Sequence, residues 1–88
     1  MNKLLVEFLG TVFLLFVIIS TGNGLAAGAA LAIAITIGGP ISGGHFNPAV
    51  TIMMTVAGKL STKDALPYIL AQISGGLAAY ELNKRIKL

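Results

Sequence analysis

The distribution of apolar and polar residues divides the chain into three long apolar runs and one short one. The long runs cover about residues 4–22, 24–39 and 62–83, and each approaches the roughly 20 apolar residues with which a helix crosses hydrocarbon. The short run, within residues 40–58, ends in only about two to three helical turns, so it cannot cross a bilayer alone. The pattern therefore predicts an all-α membrane protein with three transmembrane helices and one re-entrant half-helix.

Residues 40–58 must leave one membrane face and return to it, because the half-helix is too short to reach the other face. Lipid offers no hydrogen bonds, so irregular backbone at membrane depth needs protein or a water-filled cavity around it. The glycines of "GGPISGG" permit the extended or left-handed backbone that such a loop requires. Asn47 and Pro48 are typical of a helix start, as N-cap and first helical residue. We expect the positive end of this half-helix near the bilayer midplane.

The composition is that of a membrane protein. Of the 88 residues, 56% are hydrophobic and 10% are charged, which is too apolar for a soluble domain of this size. The sequence has no nucleophile–base pair and no cluster of metal ligands, so we expect neither an enzyme nor a cofactor. The basic stretch "NKRIKL" is typical of residues at lipid headgroups beside a membrane helix, and we expect no nucleic-acid partner.

The charges that flank the apolar runs carry almost no orientation signal. With three spans the termini lie on opposite sides of the membrane, and the basic residues are then divided equally. One side would hold Lys3, Lys59 and Lys63, and the other would hold Lys84, Arg85 and Lys87. Because an excess of Lys and Arg orients a small membrane protein, this balance predicts insertion in both orientations.

Three stretches together resemble one known family. "SGGHFNPAVT", residues 42–51, resembles the first signature loop of the aquaporins and aquaglyceroporins, the major intrinsic proteins. "VEFLGTVFLLF" resembles their first helix, and "LAQISGGLAA" resembles their third. Family members carry two such halves, inverted in the membrane, whereas this chain has one half and no internal repeat. The resemblance implies a single domain over residues 1–88, half of the aquaporin fold, completed by an antiparallel homodimer.

The resemblance also implies which residues would line a pore. The side-chain amide of Asn47 from each copy would donate hydrogen bonds to the permeating molecule, and Pro48 and Ala49 would hold the two helix tips together. A ladder of backbone acceptors would come from the carbonyls of Gly43, Gly44, His45 and Phe46. Because a lone histidine without nearby Cys, Asp or Glu is a poor metal site, we expect His45 to brace the loop or form part of the pore wall.

Two polar residues in the predicted spans need partners. Glu7 is a carboxylate inside an apolar helix, which is costly unless the group is paired. The resemblance implies that Glu7 is a buried acceptor for the N–H groups of the re-entrant loop. Gln72 would brace the same region from the third helix. A proton-relay role for Glu7 is the alternative interpretation.

Selectivity in the family depends on a narrow filter. Counted from Asn47, the filter positions correspond here to Ala27, Ile35, Gly44 and Val50. The aromatic residue, the histidine and the arginine of strict water channels are missing, which implies a wider and less polar opening. We therefore expect passive transport of water together with glycerol or comparably small uncharged solutes, with weaker exclusion of protons and ions.

Assembly and rival functions follow from the same resemblance. Four pores associate in the family, which would mean eight chains here, in a cell membrane and in both orientations. The main rival is a non-conducting membrane subunit or scaffold that docks onto a full-length aquaporin-like partner. Half of an ion-coupled transporter is disfavoured, because Glu7 alone is an ionisable group at membrane depth.

Overall fold

The computed structural model describes residues 2–86, and all regular structure in that range is helical, as the apolar pattern predicts. Its helices, in chain order, are α1 Lys3–Thr21, α2 Gly24–Ser42, α3 Pro48–Val56 and α4 Thr62–Arg85. Lys87, which contributes to the predicted charge balance, lies outside the described residues.

Local sequence explains where the first two helices begin and end. The Oδ1 atom of Asn2 accepts a hydrogen bond from the N–H of Leu4 at 2.7 Å, and Asn23 accepts from Ala26 at 2.9 Å. Both asparagines are therefore N-caps. Helix α1 ends at Gly22, whose φ of 56° lies in the left-handed region that glycine adopts without strain. This short connection turns α2 back antiparallel to α1.

Helix α1 packs against both α2 and α4, while α3 packs against α4. A glycine permits the close approach of α1 and α4, because a Cβ at Gly75 would lie 2.8 Å from a carbonyl oxygen of α1. The side-chain hydrogen bonds from Gln72 to Glu7 and from Asn83 to Ser20 establish that α1 and α4 run parallel. The first part of α1 and the middle of α4 therefore lie at the same depth as the re-entrant loop.

Helix α2 continues to Ser42, three residues beyond the predicted end at residue 39. Pro40 lies inside the helix, but the N–H of Gly43 donates to the Gly39 carbonyl at 2.8 Å, so helical bonding resumes after the proline. Neighbouring helices can compensate for the proline at membrane depth, which is why this breaker does not end the helix. Between α2 and α3, the irregular backbone is thus limited to residues 43–47.

Helices α1 and α2 are each long and apolar enough to cross a membrane, judged by length and composition. Apolar side chains on their outer surface are exposed, for example Leu25 and Ile37 at 85% and 69%. Helix α4 is longer, at 24 residues, but carries charged residues near its ends, including Asp64 and Arg85. Lipid would cover the apolar outer surface of α1 and α2 at no cost in desolvated polar groups.

Candidate functional site at the re-entrant loop

The loop between α2 and α3 folds back among the helices with an unusual backbone. Gly43, Gly44 and Phe46 have positive φ angles of 94°, 65° and 54°. A side chain at Gly44 would fit tightly, because a Cβ there would lie 3.3 Å from the Cα of Gly39 and 3.4 Å from that of Ile35. Phe46 is strained in this conformation, since residues other than glycine rarely adopt it. Tertiary contacts must therefore hold the loop in place.

Glu7 supplies the polar part of those contacts and is completely buried. Its Oε1 atom accepts from the N–H of Phe46 at 2.7 Å and from Nε2 of Gln72 at 2.9 Å. Its Oε2 atom accepts from the N–H of His45 at 3.0 Å and from Oγ of Ser42 at 2.7 Å. Four donors fill the four lone-pair positions of an ionised carboxylate. The buried charge is thereby fully hydrogen-bonded.

These bonds determine the direction of three loop carbonyls, because the C=O of a planar trans peptide points opposite to its N–H. The two N–H groups that Glu7 binds share peptides with the carbonyls of Gly44 and His45, so these carbonyls point away from Glu7. The N–H of Gly44 donates to Oγ of Ser42 at 3.2 Å, which turns the Gly43 carbonyl away in the same manner. None of these three carbonyls accepts a hydrogen bond from the described part of the chain, so they remain available as acceptors.

A buried hydrogen-bonded chain links the loop to α3 and α4. Nε2 of Gln72 donates to Oγ1 of Thr51 at 2.7 Å, and this oxygen lies 2.9 Å from Nδ1 of His45. The Thr51 hydroxyl has one hydrogen and two lone pairs, so the direction of its bond with His45 follows the tautomer of the imidazole. Oε1 of Gln72 is buried without a partner among residues 2–86, since the amide nitrogen must face the carboxylate of Glu7.

Three residues of this network are absent from the sequence-based site: Ser42, Thr51 and Tyr68. Oη of Tyr68 donates to the Ser42 carbonyl at 2.7 Å, and its ring centre lies 5.2 Å from that of His45. Tyr68 lies four residues before Gln72 and therefore on the same face of α4. That spacing is the sequence signal that could have identified it. Ser42 and Thr51 are the first and last residues of the signature stretch 42–51, and that position is the sequence signal that could have identified them.

Asn47 lies at the start of α3 and is exposed. Its Oδ1 atom accepts from the N–H of Ala49 at 2.8 Å, so this oxygen caps the helix, and Pro48 occupies the first turn. The Nδ2 group makes no hydrogen bond to any of the described residues. Together with the positive end of the helix dipole, it forms a tip rich in hydrogen-bond donors beside the available carbonyls.

The four filter positions do not all lie together in one chain. Gly44 lies against Ile35, which is 43% exposed, and Val50 follows in the first turn of α3. Ala27 precedes Ile35 by eight residues, or about 12 Å along the axis of α2. A single chain therefore holds three of these residues near the loop and the fourth toward the opposite membrane face.

Helix α3 is covered on one side only. Thr51 is completely buried, whereas Ile52, Met53 and Val56 are 55%, 53% and 84% exposed. The exposed Asn47 lies at the tip of the same helix. The loop and α3 thus form one wall of a site, and apolar surface extends beside it.

Comparison with known proteins finds the same family that the motifs resemble. The family model described as "Major intrinsic protein" matches residues 1–87. The chain is 48% identical to the glycerol uptake facilitator protein-like 6 of Lactiplantibacillus plantarum, over 90% of this chain and 41% of that protein. It is 44% identical to aquaporin Z of Brucella melitensis, with the same two coverages. The glycerol uptake facilitator protein of Streptococcus pneumoniae is 37% identical, over 88% of this chain and 40% of that protein. No solved structure matches the chain.

Proposed function

Because the chain belongs to the major intrinsic protein family, as its motifs predict, we propose that it forms a passive membrane channel for water and small uncharged solutes such as glycerol. The chain spans about two fifths of the length of these three relatives. The observation that carries the proposal is the row of available carbonyls that ends beside the exposed amide of Asn47.

Acceptors and a donor in series would replace the hydrogen bonds that a hydroxylic molecule loses on leaving bulk water. The carbonyls of Gly43, Gly44 and His45 would accept from the hydroxyl groups of the permeant, and Nδ2 of Asn47 would donate to its oxygen. The N-terminus of α3 adds positive potential at the same point, which disfavours cations. Neutral molecules with hydroxyl groups are therefore the class that this wall fits best.

A second copy, inverted in the membrane, would supply the opposite wall. Irregular backbone at membrane depth needs protein or water around it, and one chain covers only one side of the loop. In an isologous pair related by a two-fold axis in the membrane plane, both Asn47 side chains meet near the midplane. The same operation brings Ala27 of one copy to the depth at which the other copy holds Ile35 and Gly44. In this arrangement α1, α2 and α4 are the three membrane spans.

The charges support insertion in both orientations. Since α1 and α4 run parallel, Lys3 and Lys63 lie at one end of the helices, with Lys59 in the connection that precedes α4. Lys84 and Arg85 lie at the other end. Neither end has a clear excess of basic residues, so neither is favoured as the cytoplasmic end.

The filter positions would admit solutes larger than water as well as water. Alanine, isoleucine, glycine and valine offer little polar surface and no positive charge, so each mouth would select weakly among small neutral molecules. A two-fold pair would repeat the same set of residues at both mouths. We further propose that four such pores, or eight chains, associate in a cell membrane.

Stopped-flow light scattering on proteoliposomes tests the channel. The reconstituted chain should raise water and glycerol permeability well above that of empty vesicles. Asn47→Asp retains the capping oxygen but removes the amide donor and adds a charge, so it should lower both permeabilities. Asn23→Asp makes the same change at the cap of α2, away from the loop, and should have little effect. Permeability equal to that of empty vesicles would refute the proposal.

Orientation and assembly are tested separately. Tags at either terminus should be accessible from both membrane faces, and crosslinking of the purified chain should give homodimers. A single orientation for every molecule would eliminate the antiparallel homodimer.

A second candidate is a non-conducting subunit that docks onto a full-length relative. The observation in its favour is the exposed apolar side of α3, where Ile52, Met53 and Val56 are 55%, 53% and 84% exposed. Such a subunit would present the exposed side of α3 to the larger protein. If the purified chain stays monomeric until a full-length relative is added, this candidate replaces the channel.

A further inference from the structure

We propose that Phe46 is a positioning residue of the pore wall, whose ring, held between two glycines, sets the direction of the last loop carbonyl and the position of Asn47. The proposal rests on the channel function proposed above, which it deepens. Neither the family motif nor the hydrogen bonds of Glu7 assigns a role to this side chain.

The ring of Phe46 occupies a slot between α1 and α2, and the residue is only 3% exposed. A Cβ at Gly10 would overlap the ring, lying 2.6 Å from Cζ and 2.7 Å from Cδ1. A Cβ at Gly38 would lie 3.1 Å from the same Cζ and 2.9 Å from a methyl carbon of Val6. The slot therefore exists because both helices carry glycine where the ring crosses them.

The ring matters because the peptide between Phe46 and Asn47 has no other anchor. Within residues 2–86, neither the Phe46 carbonyl nor the Asn47 N–H takes part in a hydrogen bond. The direction of this peptide follows from the backbone conformation of Phe46, which is strained at a φ of 54°. The N–H of Phe46 is held by Glu7 at 2.7 Å. With that group held, the ring in its slot is what resists rotation toward an unstrained conformation.

A displaced Phe46 ring could move into a neighbouring groove. An apolar groove of about 380 Å³ lies between α1 and α2, and Phe46 contributes to its lining together with Phe13 and Ile37. A methyl group at Gly10 should push the ring toward this groove without forcing the two helices apart. The expected result is an altered loop in a folded protein.

The first test compares alanine variants at three glycines in proteoliposomes. Gly10→Ala should change the ratio of glycerol to water permeability by roughly fivefold, the equivalent of one misplaced hydrogen bond. Gly38→Ala should have a smaller effect on the ring, because its Cβ would lie 3.1 Å from Cζ, compared with 2.6 Å for a Cβ at Gly10. Gly24→Ala is the control, since nothing lies within 4 Å of a Cβ at that position. Loss of folded protein alone would lower both permeabilities equally and leave their ratio unchanged. An unchanged ratio of glycerol to water permeability in Gly10→Ala would overturn the proposal.

The second test is rescue in the Gly10→Ala background. Phe46→Leu removes the Cζ and Cε1 atoms that overlap the new methyl group and leaves only Cδ methyl groups, which can rotate away, so the double variant should return the permeability ratio toward the wild-type value. A double variant as altered as Gly10→Ala, or more so, would overturn the proposal.

A third measurement does not depend on transport. The chain has four phenylalanines, and fluorophenylalanine labelling gives each a ¹⁹F resonance, with Phe46→Leu identifying the one that belongs to position 46. Gly10→Ala should shift that resonance and that of Phe13, which lines the same groove, and leave those of Phe8 and Phe16 in place. An unshifted resonance would overturn the proposal even if the wild type conducts. An impermeable wild type would refute the channel instead, and the resonance would still decide whether Gly10 and Phe46 are coupled.

Discussion

Replacing Glu7 by glutamine tests the centre of the site. The substitution keeps the size of the side chain but turns one acceptor oxygen into an N–H₂ donor. Four donors surround the carboxylate, two on each oxygen. Whichever oxygen is replaced, the new amide hydrogens face one backbone N–H of the loop, either that of His45 or that of Phe46. Ser42 and Gln72 can reorient, but a backbone N–H cannot.

The magnitude follows from those contacts. A buried N–H that loses its acceptor costs about 2 kcal/mol. Hydrogen bonds to a charged acceptor are roughly twice as strong as neutral ones, so each surviving bond weakens by about 1 kcal/mol. Removing a buried charge offsets part of this loss by relieving its desolvation. We expect Glu7→Gln to lower the free energy of unfolding by about 3 kcal/mol.

Unfolding by SDS in mixed micelles, followed by circular dichroism, measures the change. Glu81→Gln is the matched control, because this carboxylate is solvent-exposed and, among residues 2–86, pairs only with Lys84 and Arg85 on its own helix. The control should unfold at nearly the wild-type SDS fraction, since exposed ion pairs contribute little. If Glu7→Gln unfolds together with the control, the carboxylate does not hold the loop and the reasoning is refuted.

Three further predictions concern other parts of the site. Thr51→Val removes the hydroxyl that joins His45 to α4 and should lower the free energy of unfolding by about 2 kcal/mol in the same SDS assay; Thr36→Val, at an exposed position of α2, should change it little. Ala27→Phe should narrow both mouths and reduce glycerol permeability more than water permeability in stopped-flow measurements; an unchanged ratio contradicts the filter assignment. Replacing Lys59 and Lys63 by glutamine should give one orientation and abolish permeability. Coexpression with a variant that lacks the basic residues at the other end of the helices would supply chains of the opposite orientation and should restore permeability. Permeability of the Lys59 and Lys63 variant by itself argues against an antiparallel pore.

The end of α2 was the hardest part of the fold to interpret from sequence, because residues that usually break helices lie there. A proline and a pair of glycines predict that α2 ends near residue 39, yet the helix runs to Ser42. The deciding contacts come from elsewhere: Oγ of Ser42 binds Glu7, and its carbonyl accepts from Tyr68. These partners stabilise one more helical turn than local preference would.

The glycines illustrate the same limit. Gly24 and Gly28 form a small-residue pattern typical of close helix contacts, but in the single chain nothing lies near either of them. Gly10 is inconspicuous in the sequence, yet it faces the ring of Phe46. Spacing along a helix indicates which residues share a face, but the neighbour on that face depends on the packing of other helices.

The sequence by itself determined the all-helical class, the position of the loop and the helix start at Asn47 and Pro48, because apolar runs and caps act over a few neighbouring residues. Only the tertiary structure decided which groups meet the Glu7 carboxylate, since those partners lie 35 to 65 residues away along the chain. It also decided the left-handed conformation of Phe46, which local preference opposes and packing stabilises. The direction of the loop carbonyls depends on these distant contacts, and with it the chemistry of the proposed pore wall.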